Sequence, residues 1–327
     1  MKRSFLLLPI FVFCLSTRAY ATLPLSVDGL AYIDVNGSKQ CILIRCSDPS
    51  NAVLLYLHGG PGESLIPFAH VATSTLTDRF TIVYWDQRGT GLSYAAADPP
   101  QTINVTQLID DTVFITDYLR NRFGKEKIFL LGHSWGSTLG TLAVQKCPYK
   151  YAAYVGVGQV VSQSSLNQGR RIWLTKTIRF LVDTEDLEAI QQMDQSADVS
   201  GYYVRKYHGL IHNLTDGQLR QIMLSSPYSA EKYTPKLYDQ GYELSWGRLR
   251  PEVKSIDLKE IASDIPIPVY FFLGKYDYCT PTAPVISYFE KLRAPHKEIV
   301  WFENSGHRMD VEEPAKFQQE LVKKLLE

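Results

Sequence analysis

The sequence has no excess of charge of either sign. Its 327 residues contain 34 Lys and Arg against 34 Asp and Glu, so the formal net charge at pH 7 is zero. A basic excess would favour electrostatic binding to nucleic acid or to anionic lipid, and this sequence has none. We therefore expect neither nucleic acid nor a membrane surface among the partners. The basic residues between Arg170 and Arg179 are interpreted as a solvated helix face.

Long apolar runs are scarce too, and the one at the N-terminus is too short to span a bilayer. Lys2 and Arg3 precede the apolar stretch from Phe5 to Leu15. Ala19-Tyr20-Ala21 then places small residues at the two positions that a signal peptidase reads. The pattern is typical of a secretory signal peptide at residues 1–21. We expect the protein to be exported, to a periplasm or to the outside of the cell.

Cysteine is rare, and the residues that remain after the predicted cleavage do not have the spacing of a metal site. They are Cys41, Cys46, Cys147 and Cys279. An oxidising compartment would permit disulfides. Pairing cannot be read from sequence, so disulfides and free buried thiols both remain open.

What the sequence does contain is an alternation of short apolar runs with helical patterns. Strands are predicted at residues 31–35, 38–44, 53–57, 80–85, 127–131, 152–157, 269–273 and 298–302, and helices at 105–123, 135–147, 284–292 and 314–326. Such alternation predicts an α/β fold with a mostly parallel sheet. Residues 159–255 are helical, polar and tyrosine-rich. We predict that they are a helical cap inserted into a core of residues 22–158 and 256–327.

One motif indicates the chemistry. Gly132-His133-Ser134-Trp135-Gly136 fits G-x-S-x-G, follows a predicted strand and opens a predicted helix. That is the context of the nucleophile turn in α/β-hydrolases, where a strained turn exposes the serine hydroxyl. The following helix also directs amide N–H groups at the site. Ser134 is therefore the predicted nucleophile.

A second motif fits the oxyanion hole of such an enzyme. His58-Gly59-Gly60-Pro61-Gly62 directly follows a predicted strand. Acyl transfer needs N–H donors aimed at the developing oxyanion. In α/β-hydrolases one donor follows the nucleophile and another comes from a glycine-rich loop after a strand. We assign these roles to Trp135 and to Gly59 and Gly60.

A serine nucleophile needs a general base and a group that orients the base. In α/β-hydrolases the chain order is Ser, acid, His. His307 and Asp277 each follow a predicted strand, so they should reach the same sheet edge as Ser134. His296 and Asp264 precede those strands and should lie at the opposite edge. Ser134, Asp277 and His307 are the predicted triad.

Taken together, the motifs resemble those of the proline iminopeptidase group of α/β-hydrolases. The residues that carry the resemblance are His58–Gly62, Asp86-Gln-Arg-Gly-Thr-Gly-Leu-Ser93, Gly132–Ser137, Gly274–Asp277 and Ser305-Gly-His307. The resemblance covers most of the chain from about residue 30. It implies a helical cap over the active site, no cofactor, and release of an N-terminal residue, often proline, from peptides or arylamides.

Two positions depart from the pattern of that group. His133 stands before the nucleophile, where the group usually has glycine. The cap contains Trp173 and Trp246 but lacks a W-x-x-W-E-like stretch, whose glutamates hold the substrate amine. Glu231 and Glu243 are candidates for that role.

Three functions follow from these observations. The first is an aminopeptidase acting on short peptides or amino-acid amides. The second is an esterase or lactonase acting on small acyl substrates, which the atypical cap favours. The third is a non-catalytic binding protein on a hydrolase scaffold, since fold does not imply function. The sequence does not predict an oligomeric state.

Overall fold

The computed structural model describes residues 28–96, 102–194, 199, 201–229 and 233–327. The predicted signal peptide at residues 1–21 lies outside this range. None of the helices in these ranges combines the length and the apolarity needed to cross a membrane.

The described strands form one mostly parallel sheet. They are β1 (Asp28–Val35), β2 (Ser38–Arg45), β3 (Ala52–Leu57), β4 (Phe80–Trp85), β5 (Ile128–His133), β6 (Tyr151–Val157), β7 (Val269–Gly274) and β8 (Lys297–Phe302). Their order is β1-β2-β4-β3-β5-β6-β7-β8. The pairings β1–β2 and β2–β4 are antiparallel, and the others are parallel. The predicted fold class is confirmed.

Helices connect most of these strands. Those described are α1 (Ala69–Ala72), α2 (Gly91–Ala96), α3 (Val105–Arg122), α4 (Trp135–Lys146), α5 (Gln163–Leu181), α6 (Thr184–Gln192), α7 (Tyr202–Lys206), α8 (Asp216–Leu224), α9 (Pro235–Ser255), α10 (Leu258–Ile261), α11 (Thr282–Lys291), α12 (Met309–Glu312) and α13 (Pro314–Leu326). Short 3₁₀ turns occupy Ile66–Phe68, Leu76–Asp78 and Pro148–Lys150. Strands and helices alternate along the core as the sequence predicts.

The sheet is buried on both faces because side chains alternate along each strand. In β3, Leu55 belongs to the apolar cluster under α3, α4 and α11. Its neighbour Tyr56 belongs to the cluster under α1, α12 and α13. Two helical layers therefore cover a parallel sheet, and the carboxyl ends of the parallel strands meet at one edge. That edge carries the site described below.

The antiparallel edge begins with the predicted hairpin. Asn36 and Gly37 join β1 to β2 with φ values of 48° and 76°. Positive φ at both positions is what a two-residue hairpin turn requires, and Asn-Gly supplies it with little strain. The Asn36 side chain also donates to Asp111 Oδ1 at 2.8 Å. The turn is thus tied to helix α3.

Helices α5 to α9 lie between β6 and β7, and the described residues of this part contain no strand. We call residues 159–255 the inserted segment. Its own apolar cluster consists of Leu174, Ile178, Ile190, Val199 and Val204. Helix α9 contacts α2 and α3 of the core, and α5 contacts α11. The division of the chain into core and cap stays a prediction.

The prediction that the basic residues of helix α5 face solvent is wrong for two arginines. Arg170 and Arg171 are 5% and 9% exposed. Arg170 Nε donates to the carbonyl of Cys279 at 2.7 Å, and Arg171 Nη1 donates to the carbonyl of Ile190 at 3.0 Å. Because each guanidinium donates to a backbone carbonyl, these buried charges keep hydrogen-bond partners. Lys176 is exposed, as expected.

Three cysteines of the described residues, Cys46, Cys147 and Cys279, are free thiols. Cys46 and Cys147 are buried, as is Cys41, and Cys279 is partly exposed. Of the two possibilities left open by the sequence, these three residues have the unpaired one.

Candidate active site

Ser134 occupies a strained turn between β5 and α4. Its backbone has φ 54° and ψ −121°, in the region that L-residues rarely adopt. Such a conformation costs on the order of 1–3 kcal/mol and persists only where the surroundings enforce it. Here the Ser134 N–H donates to the carbonyl of Val157 at 2.9 Å, which fixes the turn against strand β6. The serine is partly exposed, as a nucleophile must be.

The two glycines of the motif are a steric requirement of this turn. A Cβ on Gly132 would lie 2.2 Å from the carbonyl oxygen of Gly136. A Cβ on Gly136 would lie 2.3 Å from the carbonyl oxygen of Leu57. Both distances are far below van der Waals contact, so only glycine lets the turn and strand β3 approach this closely. The spacing of the motif therefore follows from the packing.

Ser134 opens into a cavity of about 490 Å³ between the sheet edge and the inserted segment. Gly60, Trp135 and His307 line the same cavity. The structure thus brings together Ser134, its predicted base and two of the predicted oxyanion residues. Gly59 instead lines a second, smaller cavity of about 360 Å³.

Gln87 connects the two segments that carry the predicted oxyanion donors. Its Nε2 donates to the carbonyl of His58 at 3.0 Å, and its Oε1 accepts from Trp135 Nε1 at 3.1 Å. The backbone N–H of Gln87 donates to His58 Nε2 at 3.0 Å. The sequence analysis assigned no role to Gln87, and the signal for this role is the resemblance of the whole Asp86–Ser93 motif.

Asp277 and His307 form a buried pair. Asp277 Oδ2 lies 2.8 Å from His307 Nδ1, and the two residues are 2% and 4% exposed. Asp277 Oδ1 accepts from the backbone N–H of Thr280 at 2.7 Å, and the Thr280 hydroxyl donates to Oδ2. This geometry leaves Nε2 of His307 for other contacts. Thr280 was missed by the sequence analysis, because nothing in its local pattern distinguishes it.

The two groups excluded by their position lie where expected. His296 is exposed, and Asp264 forms an exposed ion pair with Arg293. Both belong to the end of the sheet away from Ser134.

His133, the departure from the usual glycine, packs against His307. The two ring centroids are 4.6 Å apart, and His133 Nε2 lies 2.9 Å from the carbonyl oxygen of His307. Burial is the main cause that lowers the pKa of His133 to about 3. The ring is therefore neutral near pH 7. Since a carbonyl only accepts, Nε2 carries the proton and Nδ1 has a free lone pair.

Acidic and basic side chains share the larger cavity. Glu63 and Asp239 line it together with Arg170 and Arg205. Arg205 lies 4.0 Å from Glu63, and Arg170 is held by backbone and side-chain oxygens. No ion pair involves Asp239 among the described residues. The cavity thus contains an acid whose charge is available to a ligand.

The two acids named from the sequence have different outcomes. Glu243 is exposed and lines neither cavity. Glu231 lies outside the described residues. In the described part of the chain there is also no group of three or more His, Cys, Asp or Glu that could hold a metal ion.

A family model described as serine aminopeptidase, S33 matches residues 48–314, which is most of the chain. The chain belongs to the serine aminopeptidase S33 family. This S33 hydrolase is 28% identical over 300 residues to the probable aminopeptidase YbaC of Bacillus subtilis (strain 168), covering 87% of this chain and 92% of that protein. It is 28% identical over 280 residues to a proline iminopeptidase of Clostridium botulinum, covering 83% and 88%. The resemblance to proline iminopeptidases is confirmed.

Solved structures of hydrolases share the fold of this S33 protein. The esterase EaEST from Exiguobacterium antarcticum matches with a TM-score of 0.60 and 17% identity, over 91% of this chain and 99% of that one. At this identity the likeness shows the α/β-hydrolase fold alone. Proteins with this fold include an esterase, so the fold does not decide the substrate.

Proposed function

We propose that the protein is a serine aminopeptidase that releases an N-terminal residue from short peptides or amino-acid amides. The observation that carries the proposal is the strained Ser134, which shares one cavity with His307, Gly60 and Trp135. Membership of the S33 family and the aminopeptidase relatives support it. We further propose that Ser134, His307 and Asp277 act as the catalytic triad.

In the first step Ser134 Oγ attacks the acyl carbon, and His307 Nε2 takes the hydroxyl proton. The carbonyl electrons move to oxygen, which becomes an oxyanion. The N–H groups of Gly60 and Trp135 stabilise that charge, with the help of the dipole of helix α4. Asp277 holds the imidazole through Nδ1 and stabilises the imidazolium that forms.

In the second step the imidazolium of His307 gives its proton to the leaving amine as the C–N bond breaks, and an acyl-enzyme remains on Ser134. Water then enters, and His307 takes a proton from it as it attacks the ester carbon. The carboxylic acid leaves when the proton returns to Ser134 Oγ. The two half-reactions use the same residues, so no other proton carrier is needed.

We propose that Asp239 and Glu63 hold the free amine of the substrate. Both line the cavity of Ser134, and Asp239 is free of ion pairs among the described residues. An ammonium placed there would gain charge-assisted hydrogen bonds, which are roughly twice as strong as neutral ones. This is the chemistry an aminopeptidase needs in order to select a chain terminus.

The test compares an amino-acid arylamide with its N-acetylated form. Wild type should require the free amine. Asp239→Asn should raise KM for the free-amine substrate about tenfold, which corresponds to the loss of one charge-assisted contact. Glu243→Gln, on the same helix but outside both cavities, is the matched control. Equal rates on the acetylated and free substrates would refute the aminopeptidase function.

An esterase or lactonase is the second candidate. The absent W-x-x-W-E-like stretch favours it, and so does the exposure of Asp239. Rates on short-chain esters far above those on amides, with no need for a free amine, would support it. A fluorophosphonate probe that labels wild type but not Ser134→Ala would support either enzyme over a non-catalytic binding protein.

We also propose that the protein is exported. The support is the sequence pattern of residues 1–21. N-terminal sequencing of protein recovered from the cell envelope or the medium should begin at Thr22. An intact Met1 in protein confined to the cytoplasm would refute export.

A further inference from the structure

The site has two cavities that meet at His307. The larger one contains Ser134, and the smaller one, of about 360 Å³, is lined by His133 and Gly59. His307, Glu63 and Arg205 line both. In the proposed mechanism His307 delivers a proton to the leaving group, so the leaving group must lie on its side. The smaller cavity is adjacent to that position.

Part of the wall of the smaller cavity is apolar. Five apolar side chains line it: Leu65, Phe68, Leu210, Leu219 and Met223. Leu65 and Phe68 follow the oxyanion loop, whereas Leu219 and Met223 are one turn apart on helix α8. A cavity of this composition gains free energy by burying an aliphatic or aromatic group.

A buried polar atom adds direction to this apolar space. His133 is 3% exposed, and its Nδ1 has no hydrogen-bond partner among the described residues. The Nδ1 atom lies 3.2 Å from the position that a Cβ on Gly59 would take, and Gly59 also lines the cavity. With Nε2 bonded to the His307 carbonyl, Nδ1 offers a lone pair to a donor. A buried acceptor without a partner is costly, so a ligand N–H there would be favoured.

The lining of the smaller cavity also contains three arginines and two acids. Arg205, Arg220 and Arg308 face Glu63 and Asp216. Arg308 forms a bidentate ion pair with Asp310, in which Nε donates to Oδ1 and Nη2 donates to Oδ2, each at 2.9 Å. Arg205 reaches Glu63 only at 4.0 Å, and the described residues form no ion pair with Arg220. Guanidinium groups that are not saturated by acids are suited to a carboxylate.

We propose that the smaller cavity is the leaving-group site and selects an apolar amino acid with a free carboxylate. Its side chain packs against Leu219 and Met223, and its amine N–H donates to His133. Its carboxylate faces Arg205. The preferred substrates are then dipeptides whose second residue is leucine or phenylalanine. This inference rests on the proposed aminopeptidase function.

The experiment measures kcat/KM on three substrates that share one N-terminal residue, chosen as the best acyl group in the arylamide assay. That residue is followed by leucine, by glycine or by a methyl ester. Wild type should prefer leucine over glycine by about tenfold or more. Met223→Glu and Leu219→Glu place a charge in the apolar wall and should remove most of that preference. A methanol leaving group does not fill the cavity, so the two variants should lose much less kcat/KM on the methyl ester than on the leucine dipeptide.

Leu224→Glu is the matched control, because Leu224 is on the same helix, is 46% exposed and does not line the cavity. It should keep the wild-type preference, and unchanged melting temperatures would show that all three variants fold. A leucine preference that survives in Met223→Glu and Leu219→Glu would overturn the leaving-group site alone. Equal cleavage of the methyl ester with free and acetylated amine would instead overturn the aminopeptidase function.

Discussion

The sheet core and the inserted segment each hold a buried aspartate, and the two aspartates differ in their partners. In the core, Asp111 is 0% exposed and accepts from Arg88 at 2.7 and 3.0 Å and from Gln40 at 3.1 Å. In the inserted segment, Asp186 is 9% exposed and bonds Lys206 and Tyr207, whose side chains reach solvent. The partners of Asp111 are therefore buried with it, whereas the partners of Asp186 reach water.

The apolar packing is also more extensive around the sheet than in the inserted segment. Both faces of the sheet have large buried clusters, but the described part of the inserted segment has a cluster of five buried residues. It also exposes Phe180 at 84%, Val182 at 78% and Tyr202 at 67%. The predicted triad belongs to the well-packed core, and the side chains proposed to choose the substrate belong largely to the segment. Specificity could thus change without disturbing the chemistry.

The largest expected effect separates activity from stability in the core. In Asp277→Asn the imidazole of His307 loses the acceptor that fixes its tautomer, so kcat should fall by about 10⁴, as it does for the equivalent substitution in a serine protease triad. Steady-state kinetics measures the loss, and circular dichroism should show an intact fold. A variant with wild-type kcat would exclude Asp277 from the triad.

The second effect compares the buried charges of the two regions. Asp111→Ala leaves Arg88 buried without its partner, so the free energy of unfolding should fall by about 3–5 kcal/mol. Asp186→Ala should cost about 1 kcal/mol, because Lys206 can be hydrated instead. Urea unfolding measures both. Equal losses would contradict the difference drawn between the two regions.

The third effect is the response of the core to acid. Burial is the main cause that lowers the pKa of His58 to about 4 and of His133 to about 3, from 6.5. Their neutral forms stabilise the protein fully above pH 6.5, and this contribution is lost as the pH falls, because the unfolded chain then binds protons that the native state does not. Each of the two histidines should therefore lower the free energy of unfolding at pH 5 by about 2 kcal/mol relative to pH 8.

The measurement is urea unfolding at pH 8 and pH 5. His133→Gln should lose less stability between the two values than wild type does. His208→Gln, which replaces an exposed histidine of the inserted segment, is the matched control and should keep the wild-type difference. A His133→Gln protein with an undiminished acid loss would show that this histidine is not the source.

Local patterns in the sequence were enough to predict the sheet and the position of Ser134. Alternating strands, the Asn36-Gly37 turn and the G-x-S-x-G spacing each depend on residues that are close in the chain. The burial of Arg170 was not predictable in this way, since its partner carbonyl belongs to Cys279, far along the chain. The same holds for the smaller cavity, whose walls come from Leu65 and Phe68 on one side and helix α8 on the other. Contacts between distant segments leave no periodic signal.

In the proposed mechanism, the amide of Gln87 prepares the oxyanion hole before substrate binds. It joins the loop of His58 to the indole of Trp135, so two segments from different strands behave as one rigid frame. Their N–H groups are then oriented when the chain folds, before any substrate arrives. Solvent and backbone need little rearrangement when negative charge appears on the substrate oxygen.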